Sequence, residues 1–211
     1  MNEIERYIRD VLRHIPPFLG ERGRIEADLR AHMEEAAAGG DAPRAVIDRM
    51  GRPEDVAEEL MSRMTFRFAG FWPRLAAYAV DLLVIIAAGS LFAIPAVALA
   101  NLVPQHPAGW EYVLGGTLIL ATVVCALTTV GVVVFYFPIL EGRFGRTPGK
   151  RLVRLWVLKE NGLPIGYKEA FLRRLSYYFE IQPVDALFIL FNDRRQRAFD
   201  IVARTVVVHE R

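Results

Sequence analysis

The chain has 211 residues with 26 Lys+Arg, 24 Asp+Glu and a formal charge of +2, enough for one or two small domains. That balance hides a partition. Residues 1–70 carry 11 bases and 14 acids, residues 75–142 carry no base, and residues 141–211 carry 14 bases and 8 acids. The single cysteine, Cys125, sits in an apolar run and excludes an internal disulfide framework or a thiolate metal cluster. The four histidines have no ligand spacing, so no metal or cofactor is expected.

The first 65 residues read as a cytoplasmic amphipathic helical domain. In "NEIERYIRDVLRHI", Ile4, Tyr7, Ile8, Val11, Leu12 and Ile15 recur at helical spacing, and Pro16-Pro17 stops the run. The opening segment is charged, unlike the apolar stretch of a cleavable signal peptide. A second helix is expected over about 22–38, ended by Gly39-Gly40. "DAPRAVIDRMG" predicts a short third helix with Asp41 as N-cap and Gly51 as stop. "RPEDVAEELMSRM" predicts a fourth. The acid pairs Glu34-Glu35 and Glu58-Glu59 fall on solvated faces. A bundle this small is marginal alone, so it leans on the membrane portion, a partner or a second copy. The join "SRMTFRFAGFW" carries no evident obligatory contact, which predicts a separable head.

Residues 66–211 read as an integral membrane domain. Spans are expected over about 74–100 and 112–140, each exceeding the ~20 apolar residues that cross a bilayer. The loop between them has no base, whereas both flanks are base-rich. The positive-inside rule therefore places both termini in the cytoplasm. In the tail, "KRLVRLWVLKENGLPIG" alternates and then turns at Asn161-Gly162, a hairpin signal, and "ARTVVVHE" is a further strand. The stretch between them is apolar, interrupted by Pro183 and flanked by Arg173, Arg174 and then Arg194, Arg195, Arg197. It predicts a re-entrant or interfacial helical segment on the inner leaflet, with a full third span as the alternative. The fold class is thus mainly α and membrane-integral: a small N-terminal helical bundle, two transmembrane helices, the interfacial segment and a small β-hairpin or sheet in the tail.

"FWPRLAAYAVDLLVIIAAGSLF" places Arg74 and Asp81 in the first span. Arg74 can snorkel to the headgroups. Asp81 lies deeper, where a charge costs at least ~2.5 kcal/mol and calls for a buried partner. Seven residues separate the two by about 10 Å along the axis, which strains a direct pair. A base from the tail is the better candidate: Arg151, Arg173 or Arg174. Asp185, beside the Pro183 break, is a further candidate member. "GRTPGK" is one residue short of a phosphate-loop spacing, and Arg151 stands where Ser or Thr would bind magnesium. No catalytic set is evident, so no enzyme is expected. The basic tail suits anionic lipid rather than nucleic acid.

"FWPRLAAYAVDLLVI", "GRTPGKRLVRLWVLKENGLPIG" and "RRQRAFDIVARTVVV", in that order, resemble the RDD family of bacterial membrane proteins over roughly residues 68–208. That family is named for one arginine and two aspartates, which fall by position on Arg74, Asp81 and Asp200. Arg204 departs from the family pattern, which more often has a small residue there. "MNEIERYIRDVLRHI" and "AVIDRMGRPEDVAEELM" resemble the HAAS-type helical domain of bacterial membrane-associated regulators. The resemblance implies the bacterial inner membrane. Two functions follow as expectations. One is a membrane protein with a cytoplasmic docking or regulatory head and a protein partner. The other is a proton- or cation-coupled transporter or transport accessory using Asp81 and Asp200, which with two spans per chain needs a homo-oligomer.

Overall fold

The computed structural model describes residues 3–40, 42–105, 109–179 and 181–210. The expected N-cap at Asp41 lies outside these residues. The head contains α1 (Glu3–Arg13), α2 (Arg22–Ala38), α3 (Pro43–Met50) and α4 (Pro53–Ser62). Ile4, Tyr7, Ile8, Val11, Leu12 and Ile15 are all buried, against Ile25, Leu29, Met33, Val46, Ala57 and Met61. A proline opens both α3 and α4, where its missing N–H costs nothing. The Tyr7 hydroxyl donates to the Gly51 carbonyl at 3.0 Å, tying α1 to the α3–α4 turn.

Among the described residues two helices are long and apolar enough to cross a membrane: α5 (Phe71–Asn101) and α6 (Glu111–Phe144), each with a mean hydropathy of 2.6 over its most apolar stretch. They contain the expected spans and run antiparallel. Asp81 meets Tyr136, Gly89 lies against Thr129, and Gly115 lies against Pro104. The hairpin therefore returns the chain to the side it started from. At ~1.5 Å per residue, both helices outrun a ~30 Å hydrocarbon core and continue into the headgroup layers or tilt. Their outer faces expose Leu83, Leu91, Ile94, Leu120 and Leu127. The Ser90, Thr117, Thr128 and Thr129 hydroxyls each donate to the carbonyl four residues back, so none needs water.

Gly145 ends α6 in the left-handed conformation (φ +69°). The chain then builds a cap: α7 (Pro148–Leu152), β1 (Leu155–Lys159), α8 (Tyr167–Leu172), α9 (Leu175–Tyr178), α10 (Gln182–Leu187), α11 (Ala198–Val202) and β2 (Thr205–His209). The expected turn forms at Asn161-Gly162, with Gly162 at φ +83°. Its return arm, however, makes only one bridge, Leu158 to Pro164. The full ladder is antiparallel β1–β2, with Trp156 opposite Val208 and Leu158 opposite Val206. Proline brings no ladder donor to the return arm, whereas "TVVVH" offers an unbroken one. Segment 67–69 lies on the free edge of β2: Ala69 N–H donates to the Val207 carbonyl and His209 N–H to the Arg67 carbonyl. Arg204 precedes β2 with its side chain exposed, and Thr205 to Val208 are buried regardless.

The stretch 175–191 forms short helical pieces, with at most six residues in an α-helix, far below a crossing. It exposes Phe179, Val184, Leu190 and Phe191, and the Tyr178 hydroxyl donates to the Val134 carbonyl of α6. Among the described residues this stretch has no helix long enough for a third span, and the short pieces fit the expected re-entrant or interfacial segment.

The sheet sorts its side chains with period two. Trp156, Leu158, Val206 and Val208 face Phe18, Phe66 and Phe68. Leu155, Val157 and Val207 face Ala69 and Ala77 at the start of the first span. The sheet is thus a layer between head and membrane helices. Phe18 stacks on Trp156 with centroids 4.8 Å apart, and Leu163 of the cap is buried in the head's own core. The join is not contact-free, contrary to the sequence expectation: the alternation that buries one strand face against the span leaves the other needing the head. Trp156→Ala should destabilise the purified full chain by about 3–5 kcal/mol, as for a buried aromatic removed from a core. A chain starting at Thr65 should melt lower than the full chain in the same detergent. Equal melting temperatures would show that the head contacts contribute nothing.

Candidate functional site

The polar side chains buried where α5 and α6 meet the cap form two linked sites. The first is built on Asp81, which is 1% exposed. It receives the Thr147 hydroxyl at 2.5 Å, the Gly149 N–H at 2.7 Å and the Tyr136 hydroxyl at 3.0 Å. "GRTPGK" supplies two of these donors and is itself an anion cradle, filled by a carboxylate of the same chain. Thr147 caps α7, accepting the Lys150 N–H at 3.3 Å, and Pro148 opens the helix. Gly149 must be glycine, because a Cβ there would run into the Ala77 carbonyl and lie 2.7 Å from the Asp81 carboxyl carbon.

The second site is built on Asp200, which is completely buried in the first turn of α11. Arg74 Nη1 donates to it at 2.6 Å and Arg173 Nε at 2.9 Å, and Arg197 Nη2 stands at 3.4 Å. Burial would raise its pKa, but Arg173, Arg197 and Arg74 outweigh burial and hold it well below the usual carboxylate range. Arg74 also donates to the carbonyls of Ala69 at 3.1 Å and Arg195 at 2.6 Å. Arg195 is left-handed at φ +51°. One guanidinium thus joins the first span, the approach to it and the tail.

Glu141, in the last turn of α6, links the two sites. It pairs with Lys150 and, at 3.2 Å, with Arg173 Nη1. Burial pushes the Lys150 ammonium down to about 8, against the opposing pull of Glu141. Asp185 is buried, accepts the Phe199 N–H at 2.9 Å and lies 4.0 Å from Arg197 Nε. The Arg197 pKa is raised, because Asp200, Tyr177 and Asp185 outweigh burial. Arg74, Lys150, Arg173, Arg174 and Arg197 border one cavity of about 120 Å³.

Arg74, Asp200, Arg173 and Asp185 come together around this cluster, but Asp81 is not paired with an arginine. Three neutral donors satisfy its carboxylate, so no cation has to be buried beside it. The expected partners lie elsewhere. Arg173 is taken by Asp200 and Glu141. Arg174 lies over the Phe137 ring at 3.2 Å and the Tyr177 ring at 3.7 Å, where burial lowers its pKa. Arg151 is exposed. Sequence reasoning did not single out Tyr136, Glu141, Thr147, Gly149, Lys150 or Arg197. Glu141 had a signal, as the first charge after a long apolar run. Thr147, Gly149 and Lys150 sat in the stretch rejected as a phosphate loop.

The RDD family model matches residues 68–204, and the HAAS model matches residues 1–59. No curated protein and no solved structure matches the chain.

The geometry ranks substitutions. Asp200→Asn leaves the buried Arg173 and the largely buried Arg74 and Arg197 short of a counter-charge and should cost about 3–5 kcal/mol. Thr147→Val removes one donor from Asp81 and should cost about 1–3 kcal/mol. Gly149→Ala should be more damaging than Gly116→Ala, where a Cβ meets open space. Thermal melting of the detergent-purified variants checks both orders.

Proposed function

We propose that this chain, which belongs to the RDD family and carries an N-terminal HAAS domain, is a bacterial inner-membrane docking protein without catalytic activity. The observation that carries the reading is the shared core of head and cap: Phe18 on Trp156, and Leu163 among the head's apolar residues. A tethered domain on a flexible linker would need no such core. A head held at a set distance and angle from the membrane presents its exposed helical faces to a cytoplasmic protein in one orientation. The base-rich flanks of the spans orient the head and both termini to the cytoplasm. On this reading Arg74 and Asp200 lock the spans to the cap and take no part in chemistry.

A second reading is proton- or cation-coupled transport through an oligomer. It is favoured by Asp81, a carboxylate within a membrane-spanning helix that is held by neutral donors and has no counter-cation.

Photo-crosslinkers on exposed head positions such as Glu34 and Arg44 should yield discrete protein adducts in cells, and one at buried Met33 should not. A cysteine at Gln105 should label from outside intact cells, and one at His209 should not. Absence of adducts, together with proteoliposome flux abolished by Asp81→Asn, would replace docking with transport.

A further inference from the structure

A groove of about 660 Å³ lies where the head, the cap and the cytoplasmic end of α6 meet. Arg13, Arg22, Arg143, Arg146 and Arg151 line it, and no carboxylate does. Several of these guanidiniums are already oriented. Arg13 Nη1 donates to Asp10 at 3.1 Å, and Arg143 lies 5.6 Å over the Phe144 ring. Arg22 Nη2 donates to the Leu12 carbonyl at 3.0 Å. Arg146 lies 4.0 Å over the Trp156 ring and pairs with Glu210 at 3.0 Å. Arg143 and Arg151 are exposed at the end of α6 and on α7. Arg13 and Arg146 have Asp10 and Glu210 as partners, which leaves Arg22, Arg143 and Arg151 facing the groove with no carboxylate partner among the described residues, and such guanidiniums repel one another unless an anion sits among them. Their planar forks suit the oxygens of a phosphate group.

Leu140 forms one wall of this groove and also belongs to a second furrow, of about 620 Å³, on the lipid-facing side of α6. Gly131, Val132, Phe135 and Ile139 line that furrow. A basic groove at headgroup level therefore continues into an apolar furrow at hydrocarbon level. A soluble phosphate compound would use only the first part, and an acidic peptide would have no use for the second.

We propose that this composite groove binds one anionic phospholipid, with the phosphate among the arginines and an acyl chain along α6. Because Arg13 and Arg22 belong to the head, the lipid bridges head and span, and head docking senses the anionic lipid content of the inner leaflet.

The test uses the full chain reconstituted in an equimolar mixture of phosphatidylglycerol and phosphatidylcholine, released for native mass spectrometry. Phosphatidylglycerol adducts should predominate. Arg143→Gln with Arg151→Gln should lower their occupancy by roughly tenfold or more. Lys168→Gln with Arg204→Gln, the same charge loss outside the groove, should change it by less than about twofold. Melting in pure phosphatidylcholine should be the same for both double variants, which separates loss of binding from loss of fold. Equal loss of adducts in the two double variants, or no preference for phosphatidylglycerol, overturns the proposal. Glycerol phosphate or inorganic phosphate competing as well as the lipid would assign the arginines to a soluble phosphate compound and overturn the acyl-chain part. Displacement by an acidic peptide in preference to the lipid would assign them to a protein partner and overturn the whole.

Discussion

At the membrane end of this protein, one buried carboxylate ties the first span to the tail. Asp200 stands beside guanidiniums from three separate segments: Arg74 from α5, Arg173 from the turn after α8 and Arg197 from the start of α11. Its burial is tolerable only while those partners stay in place, because an unpaired buried charge costs several kcal/mol. Conversely, three desolvated arginines need more than one acid. Glu141 and Asp185 supply the rest, and Lys150 joins through Glu141. A set of charges this dense does little for stability compared with an apolar core of the same volume. Such a set favours specificity, because a shift of the cap on the spans would separate these paired charges.

Asp81 works differently. Its donors come from α6 and from the N-terminus of α7, so it clamps the two spans together and fixes the start of the cap. Hydroxyl and amide donors satisfy it without importing a cation. The consequence reaches the head. The clamp sets α7, α7 leads directly into β1, and β1 carries Trp156 and Leu158 to the face that the head covers. A polar contact inside the membrane layer and an apolar one at the head are successive steps along one stretch of chain.

Much of this was legible in the sequence, for identifiable reasons. The spans were plain because charge is so nearly absent from residues 75–140. Arg74 and Asp81 stood out against that background. Asp200 did not, since it lies in a charged tail, and only the resemblance to a family singled it out. The cradle role of "GRTPGK" was hidden because the anion it binds lies some 68 residues away, a pairing that no local spacing reveals. The pairing within the small sheet was not legible for a related reason. A local turn at Asn161-Gly162 is a strong hairpin signal, but Pro164 weakens the near arm and β2 takes its place. The contacts between head and cap were missed because the burial of both faces of β1 and β2 shows only once they are paired.

The central claim is that Arg74 and Asp200 act as one unit that locks the first span to the tail. A double-mutant cycle on Arg74→Gln and Asp200→Asn, read as unfolding free energy of the purified full chain in one detergent, measures this directly. The account predicts that the double variant is less destabilised than the two single changes summed, by about 1–3 kcal/mol, as for groups in direct contact within one network. Additivity within about 0.5 kcal/mol would mean that the two side chains are energetically independent, and the lock would not exist.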